Sequence, residues 1–279
     1  MKATELMAGS EDFRERYGPW AIVAGASEGT GRSFARQIAA QGVACLLIAN
    51  GGPLEAVAAE IRRESGVECV VARIDLSAPD AFEQIVAATG KREVGLYVAN
   101  AGADPHGVRF LDCDASAWLD LMHINIRTTV RSCHHFGKLM TRRRRGGILI
   151  VNSGACYGGA GRLAIYTAAK AFQLNFCESL WSELRPYGVD VLTLVLGQTD
   201  TPAYHRLQAK KGRPSSPNLA LPDDVARSGL ARLAHGPVHN MGLANDEAGG
   251  MPASANTRRE RVLGMDAAIE QLFGKIDAA

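Results

Sequence analysis

Gly25-Ala26-Ser27-Glu28-Gly29-Thr30-Gly31 stands between a short apolar run, Trp20–Ala24, and an amphipathic one, Gly31–Gln41. The apolar run reads as a buried strand and the amphipathic run as a helix. Glycines at such a junction let backbone approach a pyrophosphate closely. The helix behind them offers free N–H groups and its positive end. The spacing is G-x-x-x-G-x-G, a composition that a plain tight turn shares. Its position, closing a first strand and opening a first helix, points to a nucleotide.

The alternation continues outward from this turn. Val43–Ala49, Val67–Ile74, Val94–Ala99, Ile148–Asn152 and Val189–Leu196 read as further strands. Helices are expected over Pro53–Ser65, after Pro79, over Ser116–Arg142 and over Leu163–Arg185. Repeated strand–helix–strand units with apolar strands imply an α/β fold: a doubly wound parallel sheet with helices on both faces. The 279 residues suit one such domain, 1–279. Beyond Gly197 the pattern weakens. Lys210–Pro217 reads as a loop, and Pro222–Leu233 as a helix opened by proline with Asp223 and Asp224 in its first turn. His235–Ser254 is glycine-rich and weakly periodic, and a last helix is expected over Thr257–Phe273.

Composition removes several classes of function. The charge is +2, from 31 basic and 29 acidic residues, which argues against a nucleic-acid or membrane-surface partner. The basic run Arg142–Arg145 reads as a solvated helix end. Cys45, Cys69, Cys113, Cys133, Cys156 and Cys177 contain no C-x-x-C and fit neither zinc nor a disulfide framework, so they are expected as small buried hydrophobes in a reducing compartment. No metal site is expected. His134-His135 reads as a helix-surface or packing pair, and His205 as an exposed loop histidine ahead of the alternative of a substrate contact. Met1–Tyr17 is polar and charged, unlike a secretory signal, and no run reaches membrane-spanning length, so the expected location is the cytoplasm.

Tyr166 and Lys170 form Y-x-x-x-K, which places them on one helix face a turn apart. A phenol has an ordinary pKa of about 10. A nearby ammonium is expected to lower it, so that the phenol can exchange a proton with a substrate oxygen. Ser153 lies thirteen residues before Tyr166, at the end of an apolar strand. There its hydroxyl faces the crevice where ligands bind in such sheets.

Taken in order, Gly25-x-x-x-Gly29-x-Gly31, Val98-Ala99-Asn100-Ala101-Gly102, Asn125, Ser153, Tyr166 and Lys170 resemble the short-chain dehydrogenase/reductase family, over roughly Trp20 to Thr201. The resemblance implies a Rossmann-type domain with a C-terminal substrate lid, about residues 202–256. It also implies hydride transfer between a nicotinamide cofactor and a secondary alcohol or ketone. In that family the tyrosine is the acid/base, here Tyr166. The lysine binds the nicotinamide ribose and lowers the tyrosine pKa, here Lys170. The serine orients the carbonyl, here Ser153, and the asparagine holds a water in a proton relay, here Asn125. By the same resemblance the cofactor would meet Gly25, Ser27, Glu28, Gly29, Thr30, Gly31, Asn50, Asp75, Leu76, Asn100, Ala101, Gly102, Gly197 and Thr199, besides Tyr166 and Lys170. The family commonly pairs its two long helices between subunits, which implies a homodimer or homotetramer. Leu119, Met122, Phe172, Phe176 and Leu180 serve a core or an interface equally, and the core is the commoner reading.

Two departures stand out. The family's Pro-Gly after the sixth strand is Leu196-Gly197 here, and losing proline's fixed φ predicts a looser loop. The second strand ends Ala49-Asn50-Gly51-Gly52, with neither an acid to bind ribose hydroxyls nor an arginine to bind a 2′-phosphate. Small Ala49 and nearby Arg32 favour NADP(H) over NAD(H); Glu28 weighs against. The competing reading is a non-catalytic cofactor-binding or regulatory protein of the same fold. Such a protein has no need of Ser153, Tyr166 and Lys170 together. An epimerase or dehydratase of longer relatives would need a longer C-terminal region.

Overall fold

A computed structural model of the chain describes residues 12–241, 256–260 and 262–264. Among the described residues, seven strands form one sheet: β1 Trp20–Ala24, β2 Ala44–Ala49, β3 Cys69–Arg73, β4 Val94–Ala99, β5 Gly146–Ser153, β6 Val189–Leu196 and β7 Val238–Asn240. Their order is β3-β2-β1-β4-β5-β6-β7, and every pairing is parallel. The chain therefore builds outward from β1 to one edge, returns to β4, and builds to the other edge. The reversal between β1 and β4 leaves a crevice at the strands' C-terminal ends, where ligands enter such sheets.

Strand side chains alternate between two cores. Ala21 and Val23 of β1 face one side, Ile22 and Ala24 the other. The first side is covered by α1 Gly29–Ala40, α2 Leu54–Ser65 and α8 Pro222–Arg232, through Phe34, Ile38, Val57, Ile61 and Val225 among others. The second is covered by α3 Ala81–Thr89, α5 Thr129–Arg143 and α6 Ala164–Leu184, through Ile85, Phe136, Met140 and Cys177. Two further helices are α4 Ala115–Met122 and α7 Pro202–Lys210, and α7 borders the crevice. Ser33 Oγ donates to Asp223 Oδ1 at 2.6 Å, fastening α8 to α1.

The strand–helix alternation follows the sequence reading, with five differences. Helix α7 forms over Pro202–Lys210, where the sequence reading expects none, so His205 sits on a helix and not in a loop. The long helix expected over Ser116–Arg142 is interrupted by a wide π turn, His123–Thr128, between α4 and α5. A seventh strand forms inside the segment with weak periodicity. It needs only three residues because β6 supplies its ladder. The loop after β6 is not loose: Thr199 bridges to Ala220, and the Asp200 amide donates to the Ala220 carbonyl at 2.9 Å. Leu119, Met122 and Phe172 are exposed on α4 and α6 and do not enter the core; Phe176 and Leu180 are partly buried. The last expected helix is present over residues 256–260 and 262–264, and its remainder lies outside the described residues.

Arg143, Arg144 and Arg145 are tied down beyond what a solvated end requires: Arg143 to the Val94 carbonyl, Arg144 to Pro186, Arg145 to Glu93 and the Glu15 carbonyl. All six cysteines are free, and all but Cys113 are buried. His135 packs edge-on against Phe82 and Phe136.

Candidate active site

The turn between β1 and α1 is held from below. Gly25 has φ +88°, and a Cβ there would lie 2.9 Å from the Ala101 nitrogen. At Gly31 a Cβ would come within 1.9 Å of the Gly25 oxygen, so only glycine lets helix and strand approach this closely. Asn100 Nδ2 donates to the same Gly25 oxygen at 2.9 Å, so the Asn100-Ala101-Gly102 segment after β4 buttresses the turn. Glu28 is the N-cap residue of α1 but makes no side-chain capping bond. No cap side chain therefore covers the N–H groups of the helix's first turn.

Above this turn opens a cavity of about 650 Å³. Gly25, Ser27, Glu28, Gly29 and Thr30 line one end, Ser153, Tyr166 and Lys170 the other, with Asn100–Gly102, Gly197 and Thr199 between. Strand β5 ends in Ser153, whose Oγ accepts the Ala155 amide at 3.2 Å and is hydrogen-bonded to Tyr166. Lys170 follows one turn along α6 and is almost fully buried. Its Nζ donates to the Val151 carbonyl at 3.2 Å and to Gln173 Oε1 at 3.0 Å, and lies 5.7 Å from the Tyr166 ring centroid.

Asn125 lies in the π turn, behind the cavity wall. Its Nδ2 donates to the Leu121 carbonyl at 2.9 Å, its own carbonyl accepts from Gln173 Nε2 at 2.7 Å, and its buried Oδ1 has no partner. A Cβ on Gly102 would strike that Oδ1 at 2.2 Å, so glycine there admits the asparagine.

Burial governs the electrostatics. It pushes the Tyr166 phenol above its ordinary pKa; the Ser153 hydrogen bond opposes this and the Asp104 charge adds to it. This reverses the expectation that the lysine leaves the phenol lowered. Burial also brings the Lys170 amine down to about 7, which limits how much positive charge it brings to the tyrosine.

Asn50, Asp75 and Leu76 do not line the cavity. Asn50 is exposed beyond β2, Asp75 accepts from the Ser77 amide and hydroxyl, and the Leu76 carbonyl accepts from Thr128 Oγ1 at 2.9 Å. Gly31 is packed beneath the turn. His205 is exposed on α7, bonded to Asp200 and Ser215. Three cavity-region residues escaped the sequence reading. Asp104 is buried with an unpartnered Oδ2, although its Oδ1 accepts two amides of its own loop. Gln173 joins Lys170 to Asn125. Arg206, on α7, reaches back to Glu28. Only Gln173 carried a sequence signal, being a polar residue one turn beyond the lysine.

Residues 19–212 match the short chain dehydrogenase family model. The chain belongs to this family. A 7beta-hydroxysteroid dehydrogenase of Clostridium sardiniense is 31% identical over 241 residues, covering 85% of this chain and 90% of that one. A solved 7beta-hydroxysteroid dehydrogenase structure superposes with a TM-score of 0.77 at 26% identity, covering 90% of this chain and 99% of that one. A metagenomic short-chain oxidoreductase in complex with NADP superposes with a TM-score of 0.63 at 28% identity, covering 79% and 92%. As a short-chain dehydrogenase the protein is an NAD(P)-dependent oxidoreductase acting on hydroxyl and carbonyl groups. Among the described residues, no helix is long and apolar enough to cross a membrane.

Proposed function

We propose that the protein interconverts a bulky, largely apolar secondary alcohol and its ketone, with NADP(H) preferred over NAD(H). The observation that carries this reading is the meeting of Ser153, Tyr166 and Lys170 at one end of a cavity whose other end is the glycine turn. The turn suits a pyrophosphate: backbone approaches closely, and the first turn of α1 is free of a side-chain cap. Gly25, Ser27, Gly29 and Thr30 would hold the phosphates, and Asn100, Ala101 and Gly102 the adenosine side. Gly197 and Thr199 would meet the nicotinamide end, with Asn50, Asp75 and Leu76 nearer the adenine. The bound nicotinamide supplies or receives the hydride.

The chain's own residues manage the proton. Ser153 holds the substrate oxygen beside Tyr166, and the Tyr166 hydroxyl gives or takes the proton at that oxygen. A phenol raised by burial favours the protonated form, which suits donation to a ketone. Lys170, fixed by Val151 and Gln173, holds the ribose. Asn125 fixes the wall behind, through its carbonyl and Gln173. A steroid-like or other alicyclic body is supported by the hydroxysteroid relative and by the apolar cavity residues Val151, Leu163, Leu196 and Leu207. The segment after β6 acts as the lid. Exposed Leu119, Met122 and Phe172 suit a homodimer or homotetramer built on α4 and α6, and five buried free thiols suit the cytoplasm.

The test is NADPH and NADH consumption against a panel of alicyclic, steroid and aryl ketones. Faster NADPH oxidation with a bulky ketone is expected. No turnover of any ketone, despite tight cofactor binding, would favour the non-catalytic alternative.

A further inference from the structure

Glu28 is the only carboxylate in the turn Gly25–Gly31, and it sits at the helix end that would face the cofactor's phosphates. Left alone, a carboxylate there repels a dinucleotide. It is not alone. Arg206 of α7, 178 residues away in sequence, donates to both of its oxygens, Nη1 to Oε2 at 3.0 Å and Nη2 to Oε1. Both side chains line the cavity.

Helix α7 is anchored at three places around the cavity. Its N-cap residue Thr201 packs on the turn, 2.8 Å from where a Gly29 Cβ would stand. Its middle is held by the Arg206–Glu28 pair. Lys211, just past its end, donates at 3.4 Å to the Gly107 carbonyl, two residues beyond cavity-lining Pro105. An exposed ion pair adds little to folding stability. Its placement is what matters, because it sets a guanidinium with unused donors beside the phosphate turn.

We propose that Arg206 is a cofactor-binding residue carried by the lid. Its charge offsets the turn's carboxylate, and its remaining donors serve the cofactor's phosphates beside the glycine turn. This rests on the reading that a dinucleotide occupies the cavity.

The experiment titrates the full chain with NADPH and with NADH by fluorescence, at low and high salt. Wild type, Arg206→Gln, Glu28→Gln and the double variant are compared. Arg206→Gln should weaken NADPH binding about tenfold and flatten its salt dependence, with apo thermal stability unchanged. Glu28→Gln should bind at least as tightly as wild type, and the double variant should fall between wild type and Arg206→Gln. Arg206→Gln within about twofold of wild type for both dinucleotides overturns the inference and leaves the functional reading standing. Glu28→Gln weakening binding as much as Arg206→Gln also overturns it, since the carboxylate would then be an aid rather than a liability. A wild-type protein that binds neither dinucleotide defeats the functional reading itself, and this inference with it.

Discussion

Lys170 Nζ donates to Gln173 Oε1 at 3.0 Å, and the other end of the same amide donates to the Asn125 carbonyl. One buried side chain thus spaces the lysine of α6 from the π turn. Gln173→Leu keeps the volume and removes both bonds. It leaves a buried carbonyl unpaired, at a cost of about 1–3 kcal/mol. Urea unfolding should show that loss. Cofactor affinity should fall too, because Lys170 retains only the Val151 carbonyl; unaltered affinity would deny Gln173 a positioning role.

Lys170 makes stability depend on pH. Its amine is held near 7 by burial, against an ordinary 10.5. Between those values the unfolded chain binds more protons, so stability rises with pH, by at most about 1.4 kcal/mol per unit. The rise should occupy roughly pH 7 to 8.5. Above about 9 the buried thiols oppose it, since Cys69 is raised to about 11 and Cys133 to about 12, and the unfolded chain loses those protons first. Lys170→Met should flatten the lower window and raise the melting temperature at pH 6. Parallel melting curves for the two proteins would contradict this.

Asp104 raises the Tyr166 phenol through its charge. Asp104→Asn should therefore lower the Tyr166 pKa. The readout is the ultraviolet tyrosinate signal that is lost in a Tyr166→Phe background. A pKa that stays put or climbs contradicts the placement of that charge.

Arg258 and Glu178 form a buried ion pair, with Arg258 Nη2 donating to Glu178 Oε2 at 2.7 Å. Glu178→Leu strands the guanidinium and should cost about 3–5 kcal/mol, with much of it recovered in Glu178→Leu/Arg258→Met. Equal stability of the single and double variants in urea would show that the charges are not coupled.

The alternating strands and helices were legible because β-period and helix-period runs are long and separated by glycine turns. The residues gathered in the cavity were legible wherever a short motif fixed them, as with Ser153, Tyr166 and Lys170. What escaped depends on contacts distant in sequence. Strand β7 has three residues and no periodicity of its own; its identity comes from β6. The π turn around Asn125 has helical sequence throughout, and its widening shows only in which carbonyls Asn125 and Gln173 satisfy. Leu119 and Phe172 look like core residues in sequence because apolar character at helical spacing does not say which helix face packs inward. Arg206 belongs to no motif and lies 178 residues from Glu28, and only the folded chain sets the two side by side.

The proposed chemistry turns on proton transfer by Tyr166. The most direct test measures turnover of Tyr166→Phe beside its NADPH dissociation constant. Near-wild-type binding with turnover reduced at least about a hundredfold is the expected result. Turnover within a few-fold of wild type would place the proton transfer on another group and contradict the account.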